Sequence, residues 1–279
     1  MSGIRARRIG GHAGRFLACV PAVGSVVSAF RLGVNVSLLQ DGCEAIVSLQ
    51  TADVPLHPWA IEVPREWAPV RVGSTCRAAG GAIDLESSSS ILLRDARTDE
   101  MRITGYNAGQ ARRAQSRYPF LRDVVDRARR RLGSDPFFEQ IEGITRGWWE
   151  TRDSAALLAL VGRGIGSTPS GDDVLIGIAA GLTACAEAST AADAALGSIR
   201  DRFVREGQLA TPLFSAQAVR AAMDGAFHEA IRHLIEQCGN TSASRLDLSD
   251  AAVSLARVGA SSGAASAYGV MTAMLEVLT

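Results

Sequence analysis

The 279-residue sequence contains no lysine; all 29 of its basic residues are arginine. That absence removes Schiff-base and lysine-nucleophile mechanisms. It also removes a Walker A loop, whose lysine reaches the phosphates. Histidine is scarce, with four residues in all. His228 and His233 are five apart, which puts them on different faces of a helix and makes a poor metal pair. Both read as surface or core-edge residues. With His12 and His57 remote in sequence, no histidine stands out as a catalytic base. The five cysteines (Cys19, Cys43, Cys76, Cys185, Cys238) are dispersed, odd in number and free of any CxxC pair. They argue for reduced thiols and against a disulfide framework or a zinc site. Net charge is zero, so neither nucleic acid nor an anionic membrane is an expected partner. An apolar stretch after Arg5, Arg7, Arg8 and Arg15 is broken by Pro21, Gly24 and Ser25 and ended by Arg31. It reads as neither a signal peptide nor a membrane span, and the expected location is cytoplasmic.

What is present is the composition of a globular protein, 47% apolar and 21% charged. From residue 19 to about 95 the pattern is β. Val34–Leu38 and Ala45–Leu49 flank Asp41–Gly42, a strong hairpin signal. Val70–Cys76 and Ala82–Leu85 are joined through Gly80–Gly81. Prolines at 55, 58, 64 and 69 confine Trp59–Val63 to an edge strand or an extended connection. Ser87–Ser90 reads as a loop. After Gly105 the pattern is helical. Ala108–Leu132 is arginine-rich, kinked or split in two at Pro119 and stopped at Gly133; Phe137–Trp149 follows. Further helices are expected at 155–161 (capped by Ser154), 172–187 (Ser170), 191–206, from Pro212 to Gly225, at 227–238, at 250–258 (Ser249), and from Gly263 to Leu278. The expected class is α+β, with a small β-barrel or sandwich over 1–105 and an all-helical domain over 106–279.

The most site-like stretch is GRGIGSTPSGDDVLIGIAAG, Gly162 to Gly181. Pro169 biases Thr168 towards an extended backbone. Ser170 reads as an N-cap, with Asp173 at the third helical position closing a variant capping box. A glycine-rich loop feeding a helix exposes N–H groups that bind anions without basic side chains. Asp172 and Asp173 suit the positive end of the helix dipole, yet they would repel a bare anion unless a metal ion or a protonated substrate intervened.

A second loop has the same shape. Ser170–Gly171 is followed by five residues and Gly177; Ser262–Gly263 is followed by five residues and Gly269. A glycine two turns into each helix would let the two helices pack closely near their N-termini, aiming both at a shared spot. Thr211–Pro212 with Ser215 is a third polar helix start that could join them. The candidate anion-binding set is therefore Gly166, Thr168, Gly171, Thr211, Ser215, Ser262 and Gly263. Ser170, Asp172 and Asp173 are the candidate catalytic residues, and Asp172 and Asp173 the candidate Mg²⁺ ligands.

Over Gly162–Gly177 (GRGIGSTPSGDDVLIG), with Thr211–Ser215 as a later segment, the sequence resembles a family. It includes the third subunit of the oxamate carbamoyltransferase of bacterial allantoin degradation. The resemblance implies transfer of a carbamoyl group between a small ureido acid and phosphate, inside an assembly with sister subunits or further copies of the chain. The family usually reads Gly-His-Ser/Thr-Ser-Gly-x-Asp in its last loop. Here the loop is GASSGAA, with Ala260 for the histidine and Ala265 for the acid, and Ser167 replaces the usual leucine of the first motif. Two other readings stay open: a non-catalytic metabolite-binding or scaffold subunit, and an Mg²⁺-dependent enzyme that uses a nucleotide or phosphate.

Overall fold

A computed structural model describes residues 3–19, 21–65, 67, 70–86, 90–132, 136–151, 153–207 and 210–277. The chain divides into two compact units, Met1–Met101 and Arg102–Thr279. It is an α+β protein with an N-terminal sheet and a helical C-terminal part. The expectations for Gly133, Ser87–Ser89 and Leu278 fall outside the described residues.

The first unit contains ten strands among the described residues, with one helix. In chain order these are β1 (Ile4–Arg5), β2 (Arg8–Gly10), α1 (Gly11–Ala18), β3 (Ala22–Phe30), β4 (Gly33–Gln40) and β5 (Cys43–Thr51). There follow β6 (Ala60–Val63), β7 (Thr75–Ala79), β8 (Ala82–Leu85), β9 (Ile91–Leu92) and β10 (Arg97–Asp99). They form one sheet in the order β1-β9-β8-β7-β3-β4-β5-β6-β2-β10. The sheet curls because one stretch serves both sides of it. β1 pairs with β9, while β2, just downstream, pairs with β6 and β10. The two hairpins foreseen at Asp41–Gly42 and Gly80–Gly81 are there, and all four turn residues have positive φ, as a two-residue hairpin loop requires. β6 departs from expectation. It is an interior strand, parallel to β5 on one side and antiparallel to β2 on the other. Its prolines lie outside Ala60–Val63, so no ladder N–H is lost. Alternate residues of β4 and β5, among them Val36, Leu38, Val47 and Leu49, are fully buried with Ile61, Ile83 and Ile91.

The second unit is helical: α2 (Ala108–Leu132), α3 (Phe138–Thr151), α4 (Ser154–Leu158), α5 (Ser170–Cys185) and α6 (Thr190–Arg202). α6 passes into a π-helical turn over Phe203–Gly207. α7 (Leu213–Met223), α8 (Glu229–Gly239), α9 (Arg245–Ala256) and α10 (Ser262–Val277) complete it. α2 runs unbroken through Pro119, so of the kink or split expected there the split does not occur. Its Arg117 reaches the end of α8, donating to the carbonyls of Gln237, Cys238, Asn240 and Ala243 at 2.7–2.9 Å. The first three are orphan acceptors at the C-terminus of α8, and the fourth lies in the turn before α9. Several caps differ from the sequence reading. Asp153 caps α4, accepting from Ala155. Ser244 and Asp247 form a capping box at the start of α9, which begins well before Ser249. The His228 ring caps α8, its Nδ1 accepting from the Ala230 N–H at 3.1 Å. Burial holds that imidazole down at about pKa 4, in its neutral form.

α5 is apolar on every side; all its residues except Thr183 are buried. A helix of that kind belongs in the middle of a fold. It packs against α10 along a seam of glycines. A Cβ on Gly177 would lie 2.1 Å from the Ser266 carbonyl oxygen, and one on Gly269 would lie 2.2 Å from that of Val174. At Gly181 the added atom would meet the Ala273 Cβ at 2.6 Å. The contacts are reciprocal, since Ser266 stands to Gly269 as Val174 stands to Gly177. α5 and α10 are therefore related by an approximate two-fold axis. They run parallel, with both N-termini at one end.

Candidate functional site

The two helix starts are built alike. Gly171 donates its N–H to Arg163 O at 2.8 Å, and Gly263 donates to Val258 O at 2.9 Å. A side chain at either position is excluded by backbone: a Cβ would lie 2.0 Å from Leu160 O at Gly171 and 1.8 Å from Leu255 O at Gly263. These glycines let each helix start rest on the carbonyl end of the helix before it. Their N–H groups, assigned from sequence to a ligand, are thus already occupied within their own loops. Gly166 sits in an exposed left-handed turn at φ 95°, preceded by positive-φ glycines at 162 and 164. The capping box expected at Ser170 is not formed. The N-cap is Pro169, which has no side-chain acceptor, and Ser170 is the first helical residue.

Asp172 is completely buried, and both its oxygens are used. Oδ1 accepts from the Gly162 N–H at 2.9 Å. Oδ2 accepts from Ser215 Oγ at 2.6 Å and from the Thr211 hydroxyl. Burial pushes the Asp172 pKa up, and the Ser215, Thr211 and Gly162 hydrogen bonds oppose it. Three segments are tied here to one carboxylate: the glycine loop, the start of α5 and the start of α7. The third polar helix start does join the first, but through Asp172 as a clamp, with no donor of Thr211 or Ser215 left pointing at the α10 loop.

Asp173 has a different environment. It is 5% exposed and takes one hydrogen bond, from the Ser262 hydroxyl. Its Oδ2 is buried with no hydrogen-bond partner. Thr168 Oγ1 lies 2.9 Å from Ser262 Oγ. Either hydroxyl of that pair can be the donor, and Ser262 links Thr168 to Asp173. Ser170 Oγ and Ser261 Oγ make a longer contact of 3.4 Å. Burial drives the Asp173 pKa well above the usual carboxylate value; the Ser262 bond opposes this, and the Asp172 carboxylate adds to it. A shift in that direction eases the electrostatic problem posed by the sequence, because a carboxyl in its protonated form donates a hydrogen bond and does not repel an anion.

The structure therefore groups Thr168, Ser170, Asp173 and Ser262 at the α5/α10 start, and separates Asp172, Thr211 and Ser215 from them as a clamp. Ser261 was absent from the sequence-derived set; its adjacency to Ser262 in a Ser-Ser-Gly run was the available signal. Among the described residues no group of three or more His, Cys, Asp or Glu is arranged to hold a metal ion. No helix among them is long and apolar enough to cross a membrane.

No curated protein and no solved structure matches this chain. Residues 160–274, which hold the clamp, the paired helix starts and both glycine loops, match the family described as oxamate carbamoyltransferase subunit AllH, and that match supports membership of the chain in this family.

Proposed function

We propose that this chain is a carbamoyltransferase subunit of the oxamate type that binds its small ureido substrate, or carbamoyl phosphate, where α5 and α10 begin. The observation that carries the reading is Asp173 Oδ2, a buried polar atom without a partner at the N-terminal ends of two parallel helices. Buried polar atoms in native proteins are nearly always satisfied, and an exception calls for an explanation. A ureido group supplies one, because its carbonyl accepts from a protonated carboxyl while its N–H groups donate to nearby hydroxyl oxygens such as Ser170 Oγ. The two helix dipoles favour the negative charge of a carboxylate or phosphate at the same spot.

The reaction on this reading is oxalurate plus hydrogen phosphate giving oxamate plus carbamoyl phosphate. A phosphate oxygen bonds to the ureido carbonyl carbon, the bond from that carbon to the oxamate nitrogen breaks, and the phosphate proton passes to the departing nitrogen. This chain would contribute position and a donor to the carbonyl oxygen as it gains charge. Sister subunits, implied by the family, would contribute the rest.

The test is thermal stability against carbamoyl phosphate, oxamate and phosphate, each with and without Mg²⁺, for the wild type, Asp173→Asn and Asp173→Ala. Ligand at about 100 times its dissociation constant adds roughly 2.7 kcal/mol. The proposal expects a shift with carbamoyl phosphate that Asn retains and Ala loses. No shift in any variant, alone or with the sister subunits, would reject the site. A shift only with Mg²⁺ would favour the nucleotide- or phosphate-using reading, with Asp172 and Asp173 as ligands. Assembly with the sister subunits and full turnover in Asp173→Ala would favour the scaffold reading.

A further inference from the structure

A cavity away from the α5/α10 start has a volume of about 550 Å³ and lies between the N-terminal end of α2 and the C-terminal half of α8. Asn107, Gln110, Arg113, Arg232, Glu236 and Asn240 are among its lining residues. Arg113 is the informative one. Its Nη1 is buried and has no hydrogen-bond partner, although guanidinium nitrogens are strong donors. Four residues on, Arg117 is saturated with carbonyls of the α8 end.

The lining holds two guanidinium groups and one carboxylate, Glu236, and so carries one net positive charge. A second carboxylate, Glu187, packs against Gly105 at the margin, but it is exposed and screened by solvent. The N-terminus of α2 opens on the same space, with Asn107 Oδ1 capping the N–H groups of Gly109 and Gln110 at 3.0 Å. Its dipole adds to the positive field. We infer that this cavity is a binding site for a small monocarboxylate, whose carboxylate takes the Arg113 guanidinium and whose polar body lies against Asn107, Gln110 and Asn240. A single net charge suits a monoanion better than a phosphate dianion, and a planar guanidinium matches a carboxylate edge. The inference is independent of the reading of Asp173.

The experiment is arginine modification by phenylglyoxal, mapped by peptide mass spectrometry on the intact chain, with oxamate or inorganic phosphate as the protecting probe. Oxamate at about ten times its dissociation constant fills roughly nine sites in ten, and should slow modification of Arg113 about tenfold while leaving Arg112 unchanged. Calorimetry should show oxamate binding weakened at least about tenfold in Arg113→Gln. Protection of Arg113 should persist in Asp173→Ala, which separates this site from the helix-start site. Protection by phosphate but not by oxamate would overturn the ligand class. An unchanged Arg113 rate with both probes, or protection that disappears in Asp173→Ala, would overturn the site.

Discussion

Replacing Gly177 by alanine tests the seam that brings the two helix starts together. The new Cβ would sit 2.1 Å from Ser266 O and 2.9 Å from Val270 N, both backbone atoms of α10. An ordinary contact needs more than 3 Å, so α5 and α10 must separate by about an ångström, and no rotamer change can relieve the clash. Overpacking of this kind costs about 1–3 kcal/mol, with backbone-on-backbone cases at the upper end. Against it stands the helix-propensity gain of alanine over glycine, roughly 1 kcal/mol. The net expectation is a loss of about 1–2 kcal/mol, or some 2–8 °C in melting temperature for a unit of this size. Gly143 and Gly147 in α3 provide the internal control: a Cβ there meets nothing within 4 Å. Alanine at either position should stabilise by about 0.4–1 kcal/mol. Thermal denaturation followed by circular dichroism reads all three variants. If Gly177→Ala melts at or above the wild-type temperature, as the controls should, the close crossing and the reciprocal symmetry built on it are refuted.

Asp173→Asn should change how stability depends on pH, and the sign follows from the raised pKa. Above about pH 3.8 the unfolded chain releases the Asp173 proton while the folded chain keeps it, so wild-type stability falls by about 1.4 kcal/mol per pH unit until the folded pKa is reached. Asparagine does not titrate. Its advantage over the wild type should therefore be absent at low pH, grow from about pH 4 upward and then level off; denaturant melts across pH that show a constant difference would refute the buried proton. Ser215→Ala removes one of two donors to the fully buried Asp172 Oδ2 and should cost about 1–3 kcal/mol, read by the same melts. A loss below about 0.5 kcal/mol would mean that the clamp is not holding the start of α7.

The strand ladder and most helix positions were legible because both depend on local pattern. The Asp41–Gly42 and Gly80–Gly81 hairpins follow from turn chemistry alone, and the glycines of α5 and α10 announced a close crossing through their spacing. The errors arose where a distant partner decided the outcome. Ala60–Val63 looked like an edge because prolines flank it, but its neighbours are β5 and the N-terminal stretch of β2, and no local signal carries a pairing of that range. Thr211 and Ser170 have the residue types of helix caps, yet the Thr211 hydroxyl is drawn to Asp172 and Ser170 is displaced into the first turn. Asp172 and Asp173 are adjacent and chemically identical, so nothing in the sequence could say that one is saturated and the other is not. That difference is a matter of which face of α5 meets α7 and which meets α10.

The approximate two-fold symmetry supplies a comparison within the chain that bears on Asp173. In α10, Ala264 and Ala265 occupy the places that Asp172 and Asp173 occupy in α5, and both alanines are buried at 3% and 1% exposure. The same kind of helix start, resting on the same kind of preceding turn, is thus built without carboxylates. Packing does not demand them. Asp172 nevertheless has a structural role, since three donors from two other segments converge on it. Asp173 is tied to one other segment, the start of α10, and by a single hydroxyl. One hydroxyl reaches it, one oxygen is left over, and a desolvated acid is a cost that alanine would have avoided. A buried polar group that folding does not require is the kind of group a ligand explains. On the reading proposed above, the second of the two aspartates is the one that would meet the substrate, while the first holds the glycine loop and the start of α7.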